Sequence, residues 1–192
     1  MKVVERSVIL LAGFFACSAA WSAEPLKVNS PFNLEELKFV TVPGRASISG
    51  RAVLELADGS LKDCAGFNVE LLPVTAYSSE RISKTYGNVQ RGQILLEQNP
   101  PKFVPDVKEY HELLLKSACD AEGAFHFVNV PAGDYFVMAF LIWDEKSADS
   151  ARKTGGALMQ RLRVGASDRV NIELGASHRT DPRRAVGDVE RR

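Results

Sequence analysis

His111, His126 and His178 are the three imidazoles of this chain, and no two of them are close in sequence. A metal site would therefore need strand pairing to bring His111 to His126, with Asp120 or Glu122 completing the ligands. Isolated histidines more often serve as surface or hydrogen-bonded groups. Ser78-Ser79-Glu80 sets a hydroxyl beside an acid, but the spacing suits a helix start, and no Gly-x-Ser-x-Gly sequence supports serine hydrolysis. Trp143, Tyr77, Tyr86 and Tyr110 are the candidates for ligand contact, because amphipathic rings at the edge of an apolar core can stack on a sugar or hold a peptide. Phe125, Phe127, Tyr135 and Phe140 read as core instead.

The cysteines carry a different chemistry. Cys64 and Cys119 form an even pair once an N-terminal leader is set aside, and an exported protein in an oxidising compartment lets such a pair close into a disulfide worth about 4 kcal/mol. Two buried free thiols are the alternative. No Cys-x-x-Cys spacing points to redox catalysis.

The leader itself is read from Met1 to Ala23. Lys2 and Arg6 make a basic start, Val8 to Ala16 is a short apolar run, and Ser18, Ala20, Ser22 and Ala23 supply small residues, the layout of a secretory signal peptide. The run is shorter than the ~20 residues of a membrane span, and no later stretch reaches that length. Cys17 raises lipid anchoring as an alternative, although Phe14-Phe15-Ala16 fits that processing poorly. The expected location is the periplasm.

Lys plus Arg balances Asp plus Glu at 24 each, so no global field recruits nucleic acid or acidic lipid. The division expected is a leader over 1–23, an N-terminal extension over 24–45, one domain over 46–175 and a disordered basic tail over 176–192.

The elements that must position these residues are mainly strands. Asn33 is expected to cap a short helical turn through Lys38, with Phe39 to Val42 a brief strand. Ile48, Ala52 and Leu54 alternate with polar partners up to the Asp58-Gly59 turn, and Cys64 to Thr75 reads as a second strand antiparallel to the first. Tyr77 to Tyr86 reads as a helix capped by a serine and stopped by Gly87. Asn88 to Lys108, with Pro100, Pro101 and Pro105, reads as a long loop: foremost an insertion packed over one sheet by Ile94, Leu95, Leu96, Phe103 and Val104, and otherwise the first place to seek a ligand. A strand follows over Tyr110–Ala118, then Asp120–Gly123 as a turn, a half-buried strand with Phe125 and Phe127, and Pro131–Asp134 as a second turn. Tyr135 to Trp143 is apolar on both faces, as a central strand covered from two sides. A polar loop over Asp144–Thr154 precedes two last strands. The pattern gives an all-β antiparallel sandwich of seven or eight strands, with one short helix and a long inserted loop.

The segments Ser49–Val53, Gly66–Leu71 and Asp120–Gly123, with Phe125, Phe127, Val130–Gly133 and Tyr135, resemble the carboxypeptidase regulatory-like domain. The resemblance spans about Ala46–Thr75 and Tyr110–Leu174 and implies a transthyretin-like β-sandwich. Fold analogy transfers architecture and not activity. Enzymes of this fold rest on residue sets missing here, such as the His-x-His pair of iron dioxygenases or a terminal Tyr-Arg-Gly-Ser, where this chain has Val189-Glu190-Arg191-Arg192. The expected function is an exported, non-enzymatic module without a cofactor that binds an envelope protein or other envelope component. The alternative is a carbohydrate-binding module with a glycan partner, and the second alternative a metal-dependent enzyme using His111 and His126.

Overall fold

Alternation of apolar and polar residues dominates the chain, and strands dominate the structure. The computed structural model describes residues 24–146 and 151–175; the expected leader, Cys17, the basic tail and His178 lie outside them. Among the described residues, a 3-10 helix at Glu35–Thr41 precedes nine strands: β1 (Ala46–Glu55), β2 (Leu61–Asp63), β3 (Asn68–Pro73), β4 (Arg91–Leu95), β5 (Leu115–Ala118), β6 (Ala124–Val130), β7 (Gly133–Lys146), β8 (Ala151–Val164) and β9 (Arg169–Gly175). Helix α1 (Ala76–Tyr86) follows β3, and the short helix α2 (Lys108–Glu112) precedes β5.

The strands form a sandwich of two sheets. In one, β1 pairs with β9 in parallel along one side; β6, at Ala46–Arg51, and β2, at Val53–Glu55, pair antiparallel with it along the other. The other sheet runs β4-β8-β7-β3-β5, all antiparallel. Between the sheets lie Ile48, Ala52 and Leu54 of β1, Phe125 and Phe127 of β6, and Tyr135, Val137, Ala139 and Leu141 of β7. Val130 also points inward although it is three residues beyond Phe127, because a bulge at this end of the β1–β6 pair, with Asn129 at φ 55°, resets the alternation.

β7 is covered on both faces, as its sequence implies. Phe136 and Met138 face the opposite way from the core and pack under α1 with Tyr77, Ile82, Tyr110 and Met159. The all-β sandwich is thus a three-layer arrangement on this side, with the helices as an outer layer.

Several local expectations are corrected. β3 does not pair with β1: the chain leaves the first sheet after β2 and enters the second, where β3 lies between β7 and β5. Cys64 stands at that crossing, Cys119 at the return crossing between β5 and β6, and the two are joined in a buried disulfide with Cα atoms 5.7 Å apart. Residues 39–41 are helical, not extended. The cap of α1 is Thr75, which accepts from the Ser78 N–H while Ser78 Oγ accepts from the Thr75 N–H, a reciprocal capping box with serine at its third position. The 88–108 segment contains edge strand β4, and the expected strand from Tyr110 begins as α2. The expected Asp144–Thr154 loop instead extends the β7–β8 ribbon on both sides of residues 147–150.

Among the described residues, no helix is long and apolar enough to cross a membrane.

Candidate functional site

Helix α1 starts directly after β3 and crosses the outer face of the sheet until Tyr86 lies on Gly92 of edge strand β4. A Cβ at Gly92 would fall 2.7 Å from the Tyr86 Cβ, so the bare backbone permits this contact. Gly87 then takes a left-handed φ of 67° and ends the helix. The return segment passes through Leu96, Pro100, Pro101 and Phe103 to α2. Helix, return segment and sheet enclose a half-open pocket of about 280 Å³.

The floor is the outer face of three strands: Met138, Phe140 and Ile142 of β7, Gly156 and Ala157 of β8, and Ile94 of β4. Ile82, Thr85 and Tyr86 line the helix side. The polar side chains include Glu70, from β3, with Arg81 and His111. Most of the wall is hydrocarbon, and the volume lies just below the ~300–1,000 Å³ range of ligand pockets.

Arg81 organises the outer layer. Its guanidinium carbon lies 4.3 Å from the Phe103 ring centre and 4.6 Å from that of Tyr110, and Nη1 donates to Asp106 Oδ1 at 2.8 Å. His111 Nε2 reaches the same carboxylate oxygen at 2.9 Å. Burial works against the Asp106 charge, but hydrogen bonds from His111 and Arg81 prevail and hold this carboxyl below its usual range. Burial pushes the phenols of Tyr86 and Tyr110 well above theirs, so both remain neutral. Their hydroxyls make no hydrogen bond among the described residues. Glu70 pairs with Lys116 across β3 and β5 at 3.3 Å.

The N-terminal extension holds this layer in place. Leu26 bridges to Phe103 through backbone bonds to Lys102 and Val104, and Phe32 packs edge-on against Tyr77 at 5.3 Å. Glu80 accepts from the Asn29 N–H at 2.9 Å and the Ser30 N–H at 2.7 Å and pairs with Lys84.

Of the aromatic candidates, Tyr77, Tyr86 and Tyr110 come together in this layer, with Tyr86 and Tyr110 lining the pocket and Tyr77 buried behind them. Trp143 does not join them. It sits on the core side of β7, 6.2 Å from Phe67 and beneath Lys62, closing one end of the sandwich. His111 belongs to the helical layer outside one sheet, and His126 is exposed on β6 of the other. The topology therefore leaves this pair apart, and among the described residues no cluster of three His, Cys, Asp or Glu side chains is arranged to hold a metal ion. Leu96, Pro100, Pro101 and Phe103 all fall in the segment singled out by its prolines. Arg81, Glu70 and Met138 carried no such signal, since their convergence depends on strand order.

No protein-family model matches the chain, and no curated protein matches it. A solved structure does. It belongs to a candidate carbohydrate-binding protein of Pseudomonas aeruginosa, superimposing with a TM-score of 0.61 at 21% identity over 77% of this chain and 99% of the other. The likeness is one of fold. It shows the β-rich sandwich shared across almost the whole of that protein.

Proposed function

We propose that this protein is a non-catalytic carbohydrate-binding module, exported to the periplasm, with its site in the pocket between α1 and the outer sheet face. The observation that carries the reading is a half-open pocket bounded by Tyr86, Phe103, Tyr110 and Phe140 and holding Glu70, Arg81 and His111. Aromatic faces suit the C–H surface of a sugar, and charged groups suit its hydroxyls. The likeness to a candidate carbohydrate-binding protein supports the glycan over a general envelope partner. A buried disulfide supports an oxidising compartment. The Asp120–Gly123 turn, in which Asp120 Oδ1 accepts from the N–H groups of Glu122 and Ala124, supports kinship with carboxypeptidase regulatory-like domains.

The test is titration of the full chain with a panel of neutral, acidic and amino sugars, followed by calorimetry. At least one should bind, His111→Ala should weaken it tenfold or more, and Trp143→Ala should leave it unchanged. Failure of every sugar and glycoside to bind, or loss of binding with Trp143→Ala alone, defeats the reading. The hydrocarbon wall favours a second one, a pocket receiving an apolar side chain of a partner protein, which predicts capture of that protein and indifference to sugars.

A further inference from the structure

The pocket is graded along the strand order. At the β4 and β8 side, Ile94, Leu96, Pro100, Pro101 and Ala157 offer only hydrocarbon, whereas the polar lining comes from Glu70 on β3, further along the strand order, with Arg81 on α1 and His111 on α2. A sugar ring carries hydroxyls around its whole edge. Seated among Ile94, Phe140 and Ala157, those hydroxyls would exchange water for hydrocarbon, each losing its hydrogen bonds without a replacement. An aliphatic group in the same place loses nothing and covers the apolar floor.

We infer that the ligand is an amphiphilic glycoside, its aliphatic chain on Ile94, Met138, Phe140 and Ala157 and its sugar beside Glu70, Arg81 and His111. The inference rests on the carbohydrate reading and narrows it to sugars bearing one hydrocarbon chain. The two ends of the ligand then meet two kinds of wall.

The test titrates the full chain with octyl glucoside, octyl galactoside and octyl mannoside below their micelle-forming concentrations, beside the matching methyl glycosides and 1-octanol. At least one octyl glycoside should bind ten times or more tighter than both its methyl counterpart and octanol. Met138→Ala should reduce the octyl advantage several-fold, and His111→Ala should reduce discrimination among sugars while sparing octanol. Circular dichroism of each variant checks that it is folded. Equal affinity for methyl and octyl glycosides overturns the chain assignment and leaves the carbohydrate reading standing. Octanol binding as tightly as every octyl glycoside overturns both, as does failure of every probe together with every sugar of the wider panel.

Discussion

Arg81 presents its guanidinium to the Phe103 ring at 4.3 Å, so a cation on α1 fastens the proline-rich return segment above the pocket. The same side chain touches Tyr110 and bonds Asp106, and is only 11% exposed. Removing it leaves the Asp106 carboxylate with His111 alone and three rings, Phe103, Tyr110 and Tyr77, without their cation. Arg81→Ala is expected to cost about 1–3 kcal/mol in urea denaturation. Arg81→Lys should recover only part of this, because an ammonium has no planar face to lay on a ring.

The disulfide gives a second expectation. Cys64 and Cys119 are 55 residues apart in sequence and join the two places where the chain changes sheet. Opening that bond is expected to cost about 4 kcal/mol, a fall of roughly 8–16 °C in melting temperature for a domain of this size. Cys64→Ser with Cys119→Ser should melt at the lower temperature and be indifferent to reductant, while the native chain should fall to meet it when reductant is added.

Acid should loosen the hold of Glu80 on residues 29 and 30. Backbone N–H of Asn29, the Lys84 ammonium and Ser30 hold the Glu80 carboxyl at about 2, against an ordinary 4.5. A depressed carboxyl contributes stability that is fully present above the unfolded value and is lost as pH falls through the folded one. The loss therefore falls between about pH 4.5 and pH 2. Melting temperatures measured across this window should decline less steeply for Glu80→Gln than for the native chain, and equal slopes would remove Glu80 from the account.

How much of this was legible depends on what each strand touches. β7 announces itself because it is buried on both faces, and its alternate residues divide cleanly between the core and the helical layer. The ribbon beyond it does not, since Asp144 pairs with Lys153 at 3.1 Å and Glu145 with Arg152 at 3.0 Å; cross-strand charges there replace apolar alternation and read as a loop. α2 is hidden in a similar way, a polar turn supported by Lys108 on Glu112. The pocket was half visible. Its prolines and tyrosines stood out, but Glu70 and Met138 meet only because β3 crosses to the second sheet, and no local pattern encodes a crossing.

Gly155 offers a test of the Trp143 placement. With φ at 104°, a Cβ there would lie 2.0 Å from the Leu141 carbonyl oxygen and 2.6 Å from the Trp143 ring. Gly155→Ala is expected to destabilise the domain by about 1–3 kcal/mol and to change the Trp143 fluorescence, whereas sugar binding in the folded fraction should persist.

Parallel pairing of β1 with β9 has a further consequence, for the order of events as the chain folds. Ser47 finds its partner only at Arg169, near the far end of the described residues. Contacts this distant in sequence form slowly. Until β9 arrives, β1 has a bare row of amides along one side, and a nascent chain of this design spends that interval in competition between completing its own sheet and pairing with a neighbour.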